Sequence, residues 1–203
     1  MTLEVKISRK LVPYRTAFLL LKKRVELVKK TNNSELVWIL EHPLTFTSGI
    51  RSKENEILDK KIKIIKTNRG GRITLHSPGQ KIVYFAINLN KRKKDIKNLV
   101  KQIELTIIDF LKLYKIKSKS DEKNIGIWVE DRKIAAIGIR VSNWVAYHGF
   151  SININNNLNY YKKIIPCGLS NNRITSMQRE TKRKLINIEK NLKKIFTKNL
   201  KDI

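Results

Sequence analysis

The hydrophobic period of this chain switches repeatedly along its length, and that switching constrains the fold more than any other feature. Phe18, Leu21, Val25 and Val28 recur at three- and four-residue steps, which predicts an amphipathic helix from Tyr14 to about Lys30 with Pro13 beside its first turn. Leu99, Ile103, Ile107, Phe110, Leu111 and Tyr114 form a second helical stripe, and Leu185, Ile186, Ile188, Leu192 and Ile195 mark a basic helix near the C-terminus. Between these lie shorter apolar runs that read as strands. They are Leu36 to Leu40, which leads into Glu41-His42-Pro43, then Ile62 to Thr67, Lys81 to Leu89, Ile125 to Glu130, Lys133 to Val141 and Trp144 to Ile154. Asp131-Arg132 separates two of these runs, so they read as a hairpin with Lys133 at its turn end. Helices and strands in mixed order predict an α+β fold, mixed sheets flanked by helices, in a single domain over residues 1–203. No Gly-x-Gly-x-x-Gly or Walker A sequence is present to cradle a nucleotide phosphate, and a Rossmann reading fails.

Composition narrows the class. Apolar residues at 41% and charged residues at 30%, with four prolines and eight glycines, describe a chain able to bury a core. Its one cysteine excludes an internal disulfide and fits a reducing cytoplasm. The stretch from Lys6 to Lys23 is interrupted by Tyr14, Arg15 and Thr16 and lacks a small-residue cleavage site, so it does not read as a signal peptide. No apolar run approaches the roughly 20 residues of a membrane span. A net charge of +27, from 44 Lys and Arg against 17 Asp and Glu, raises nucleic acid as a partner, but the cations are dispersed rather than gathered in a basic arm. Dispersed charge is the pattern of a solvated surface, and acidic proteins would be drawn by the same field.

Three places carry residues suited to chemistry. Cys167 stands between Pro166 and Gly168, a setting that leaves its sulfur uncrowded, although a buried inert thiol has the same composition. A free thiol titrates near ~8.5, so a nucleophilic Cys167 needs a neighbouring cation or base. Lys133 opens the apolar, small-residue stretch Ile134-Ala135-Ala136-Ile137-Gly138-Ile139. Desolvation there would lower its pKa and suit it to general-base work, whereas the ordinary place for a lysine is the surface. The segment Arg69-Gly70-Gly71-Arg72-Ile73-Thr74-Leu75-His76-Ser77-Pro78-Gly79-Gln80 is either a loop that presents backbone amides or a tight connection between strands. The three histidines, His42, His76 and His148, have no zinc-ligand spacing.

Arg69-Gly70-Gly71 with Thr74, His76-x-Pro78-Gly79-Gln80, Lys133-Ile134-Ala135-x-Ile137-Gly138, His148-Gly149 and Pro166-Cys167-Gly168 followed by Thr175-Ser176 occur in this order from about Tyr14 to Met177. Together they resemble the lipoyl(octanoyl) transferase family, with Glu41-His42-Pro43 and Trp128-Val129 also consistent. The resemblance implies a fold like the catalytic domain of biotin and lipoate protein ligases. It further implies transfer of octanoate from octanoyl-acyl carrier protein to a lysine of the lipoyl domains of 2-oxoacid dehydrogenase complexes and of the glycine cleavage H protein. Carried over by position, Cys167 is the thioester nucleophile and Lys133 the residue that lowers its pKa. Arg69, Gly70, Gly71, Arg72, Ile73, Thr74, Leu75 and His76, with Ala136, Ile137, Gly138, Gly149, Phe150 and Ser151, line the acyl and carrier site. A cytoplasmic monomer is expected, with no metal, no cofactor, no nucleic acid and no membrane. Leu75 stands where the family has tyrosine and Ser77 where it has glycine, and a positive φ at Ser77 would strain the loop. An ATP-dependent lipoate ligase on the same fold and a non-catalytic basic binding module are the rival readings.

Overall fold

The computed structural model describes residues 2–30, 34–121, 124–166 and 173–203. In chain order these form β1 (Leu3–Ile7), α1 (Tyr14–Lys30), β2 (Glu35–Leu40), β3 (Thr45–Ser48), β4 (Ile64–Lys66), β5 (Thr74–His76), β6 (Gln80–Asn88), α2 (Ile96–Leu113), β7 (Lys119–Ser120), β8 (Ile127–Val129), β9 (Arg132–Ser142), β10 (Val145–Asn153), α3 (Met177–Glu180) and α4 (Ile188–Asn199). Seven strands join in the order β1-β2-β6-β10-β9-β8-β7, and β4-β3-β5 form a smaller sheet beside them. The β1–β2 and β3–β4 pairs are parallel and the others antiparallel, so both sheets are mixed as expected.

Strand alternation divides the apolar residues between the two faces of the large sheet. Leu36, Trp38 and Leu40 of β2 with Ile82, Tyr84 and Ala86 of β6 pack on Ala17, Leu21, Val25 and Val28 of α1. The intervening residues Val37, Ile39, Val83, Phe85 and Ile87 face the other way. They meet Leu99, Ile103, Ile107, Phe110 and Leu111 of α2 and Leu192 and Phe196 of α4. Asp95 caps α2 by accepting a hydrogen bond from the Asn98 amide at 2.9 Å. A third cluster, Phe46, Ile73, Leu75, Trp128, Tyr161, Ile164 and Ile174, lies under the small sheet.

Several expectations need correction. Thr74 to His76 is a strand, not part of a continuous loop, because Thr74, Leu75 and His76 pair with Thr47, Phe46 and Thr45 of β3. The hairpin turn is Glu130-Asp131, one residue earlier than expected. Glu130 takes the left-handed φ of 54° and Arg132 already pairs with Val129. The last helix begins at Ile188, and Ile186, 62% exposed, lies outside it. Its buried stripe is Ile188, Leu192, Phe196 and Asn199, rather than one containing Leu185 and Ile186. Ser77 has no positive φ; that conformation falls on Gly79, at 82°, where no Cβ is needed.

Candidate functional site

A cavity of about 570 Å³, within the usual range for small-molecule sites, opens where β5, the 69–72 loop, β9 and β10 converge. The loop is held against β9 by main-chain contact. Gly70 N–H donates to Ile139 C=O at 3.2 Å, and a Cβ on Gly70 would come within 2.8 Å of that oxygen. Arg69 holds the other side, donating to Thr47 O and Thr47 Oγ1, both at 2.9 Å, and to Gly70 O at 3.0 Å. Across the floor, Gly138 of β9 pairs with Gly149 of β10. Gly149 is sterically required, since a Cβ there would lie 1.8 Å from Val83 O.

Of the expected site residues, Arg69, Gly70, Gly71, Arg72, Thr74, His76, Lys133, Ala136, Ile137, Gly138, Gly149, Phe150 and Ser151 line this cavity. Ile73 and Leu75 do not. They alternate with Thr74 and His76, so the strand period turns them into the apolar cluster under the small sheet. Cys167 and Gly168 lie outside the described residues. Arg51, Ile82, Tyr84, Asn124, Ile125 and His148 also line the cavity without having been expected there. The His148-Gly149 dipeptide was the available signal for one of them; Ile82 and Tyr84 carry only the alternation of an ordinary core strand.

Lys133 is placed by a bulge. Ile127 pairs with Ala135 and Trp128 with Lys133, leaving Ile134 extra in β9. The side chain is 6% exposed, and its Nζ donates to Ile125 O at 2.7 Å while lying 5.4 Å from the centre of the Trp128 ring. Gly126 makes room for it, because a Cβ there would meet Lys133 Cε at 2.3 Å. The Lys133 main chain is tied to the strand-like residues 174–175: it bridges Ile174, and its carbonyl accepts from Thr175 N–H at 3.0 Å. A smaller cavity of about 20 Å³ adjoins the first and is lined by Lys133, Pro166 and Ile174 among others.

All three histidines are held neutral. Burial lowers His42 to about 4 against a partial opposing effect of the Val12 carbonyl, which it meets at 2.5 Å. Burial, with Arg69 and Arg140 nearby, lowers His148 to about 3. Burial, then His42 and Arg69, hold His76 well below the usual histidine range. His148 has a left-handed φ of 68°, which breaks the alternation of β10 and puts its ring on the α1 side, stacked on Tyr147 at 4.8 Å and Phe18 at 5.7 Å. Tyr14 stacks on His76 at 5.8 Å, and Tyr84 Oη lies 2.9 Å from His42 Nε2. Among the described residues no group of three or more His, Cys, Asp or Glu is gathered to hold a metal ion, and no helix is long and apolar enough to cross a membrane.

This mixed-sheet fold is shared with protein ligases for lipoate and biotin. Lipoate-protein ligase A bound with ATP superposes with a TM-score of 0.80 at 12% identity, over 99% of this chain and 86% of the other. Biotin protein ligase from Aquifex aeolicus superposes with a TM-score of 0.55 at 14% identity, over 100% and 70%. Residues 13–199 match the lipoyl protein ligase A/B catalytic domain model, and the chain belongs to that family. Within it, the octanoyltransferase of Wolbachia sp. subsp. Brugia malayi (strain TRS) is 39% identical over 198 residues, covering 95% of this chain and 97% of that protein. The chain is accordingly an acyltransferase of the octanoyltransferase kind.

Proposed function

We propose that this chain, acting as a single-domain cytoplasmic monomer, moves an octanoyl group from octanoyl-acyl carrier protein to a lysine of a lipoyl domain, through a thioester on Cys167. The domains of 2-oxoacid dehydrogenase complexes and the glycine cleavage H protein are the acceptors in this reading. The observation that carries it is the setting of Lys133, buried at the wall of the large cavity and lining the small one together with Pro166 and Ile174. Pro166 and Ile174 flank Cys167 in the sequence on either side, which supports pairing the thiol with this amine.

Neutral Lys133 takes the Cys167 proton, and the thiolate attacks the donor's carbonyl carbon. As the carbon–sulfur bond to the carrier breaks, the Lys133 ammonium returns a proton to the departing carrier thiolate. One thioester replaces another, so no activating nucleotide enters. In the second half the acceptor lysine, as free amine, attacks the acyl carbon, Lys133 accepts the amine proton, and the Cys167 thiolate leaves and is reprotonated. The glycine-floored cavity suits a linear chain because main chain approaches it with little side-chain bulk.

Intact-protein mass spectrometry tests the scheme. Enzyme mixed with octanoyl-carrier protein without ATP should gain an octanoyl adduct on Cys167, which moves to a lysine when a lipoyl domain is added. Cys167→Ser and Lys133→Ala should each abolish transfer while leaving the melting transition in place. Transfer that appears only with ATP and free octanoate would instead assign a ligase.

A further inference from the structure

A line of buried amides joins the main chain of Lys133 to the ring of His76, and its direction is fixed at one end. The Thr175 carbonyl can only accept, so the Asn153 atom facing it at 2.9 Å is the donor Nδ2. Asn153 then presents Oδ1, and the Gln80 atom 2.9 Å from it must be the donor Nε2, which also reaches Tyr161 Oη at 3.1 Å. Gln80 therefore presents Oε1 to His76 Nδ1 at 2.9 Å, and that nitrogen must carry the hydrogen. Thr175 N–H in turn donates to the Lys133 carbonyl, closing a continuous line between two residues of the cavity wall.

We infer that this amide line locks His76 as the Nδ1–H tautomer, so that Nε2 offers a lone pair to an N–H group of the substrate in the cavity, with Gln80 and Asn153 as its positioning residues. No donor among the described residues engages Nε2, and His76 lines the cavity. The cationic side chains lining the cavity, Arg51, Arg69, Arg72 and Lys133, are donors only and cannot receive a substrate N–H, whereas the Nε2 lone pair of His76 can. Burial, with His42 and Arg69 close by, keeps the ring neutral and the lone pair free. Two substrate groups have the required chemistry: the acceptor lysine's amine and an amide in the thioester arm of the carrier. The assignment rests on the acyl-transfer reading of this cavity.

The test has two arms. In full-length enzyme labelled with ¹⁵N-histidine, with the His76 signals assigned by their loss in His76→Gln, imidazole nitrogen shifts should show a protonated Nδ1 and a bare Nε2 at neutral pH. An Nε2–H tautomer or an imidazolium overturns the lock, and this readout needs no turnover. Loading from octanoyl-carrier protein and transfer to the lipoyl domain are then timed separately. His76→Leu should slow one half-reaction about tenfold or more, the effect of removing one hydrogen bond used in the transition state. His76→Gln, whose side-chain oxygen can stand near Nε2, should keep within about threefold of the native rate. Loss in transfer assigns the N–H to the acceptor amine, loss in loading assigns it to the carrier's arm, and loss in neither overturns the contact. Native enzyme that forms no octanoyl adduct overturns the acyl-transfer reading, and the contact to substrate with it.

Discussion

At the scale of the residue, two glycines and three histidines make the sharpest claims. Gly149→Ala should cost about 3 kcal/mol in urea unfolding, since its Cβ would press a backbone carbonyl 1.8 Å away that belongs to the paired strand and cannot rotate aside. Gly126→Ala should act on both stability and activity. Its Cβ would fall 2.7 Å from the Ala135 carbonyl oxygen at a φ of 141°, and 2.3 Å from Lys133 Cε, so the amine is displaced and octanoyl transfer should fall about 10²-fold, with a loss in urea unfolding beside it. The histidines give the stability a pH dependence whose sign follows from their depressed pKa values. Unfolded histidine takes up a proton below about 6.5, whereas folded His42 does so only near about 4 and folded His148 near about 3. The unfolded state therefore binds more protons in that window, and stability falls as pH drops from about 6 to about 4. His148→Asn, which tolerates the left-handed backbone, should reduce the slope of unfolding free energy against pH by about one proton. An unchanged slope would mean that His148 titrates alike in both states. The sequence exposed these histidines as residues but not their neutrality, which comes from neighbours distant in the chain.

At the scale of the element, what the sequence made legible depended on length and period. Helix α1 and the strands β2, β6, β9 and β10 stand within a residue or two of where their patterns put them, because each runs long enough for its period to show. Strands β1, β3 and β5 are too short to leave a legible period in the sequence. The outer strand β1 is only partly buried, and β3 and β5 exist through pairing with each other and with β4 rather than through any pattern of their own. Ile73 and Leu75 belong to the expected site only because the resemblance carries over the whole segment from Arg69 to His76, and the alternation of β5 is what tells Thr74 and His76 apart from them. The C-terminal helix starts later than the stripe from Leu185 to Ile195 predicts because Phe196 completes its buried face. Phe196 packs against Phe85 at 5.8 Å and Phe150 at 5.6 Å, tying α4 to the sheet under the cavity floor. Phe196→Ala should cost about 4 kcal/mol in urea unfolding. A loss below about 1 kcal/mol would show that α4 contributes little to holding the sheet.

At the scale of the whole molecule, the net charge of +27 acts on encounter rather than on chemistry. With an acidic carrier protein as donor, raising ionic strength from about 0.05 to about 0.5 M should raise KM severalfold and leave kcat nearly constant. A salt-insensitive KM would point to an apolar docking surface. The Gly138–Gly149 pair in the cavity floor bears on how this enzyme could change over time. A pocket walled by side chains adjusts its bore by small rotamer movements and drifts gradually in what it accepts. A floor of bare main chain has no such adjustable parts: its depth changes only when a glycine gains a methyl or more, and at Gly149 even that step collides with Val83. If the acyl chain lies on this floor, as proposed above, variants that handle shorter or longer chains should arise by substitutions at Ile137 or Phe150 beside the floor rather than within it.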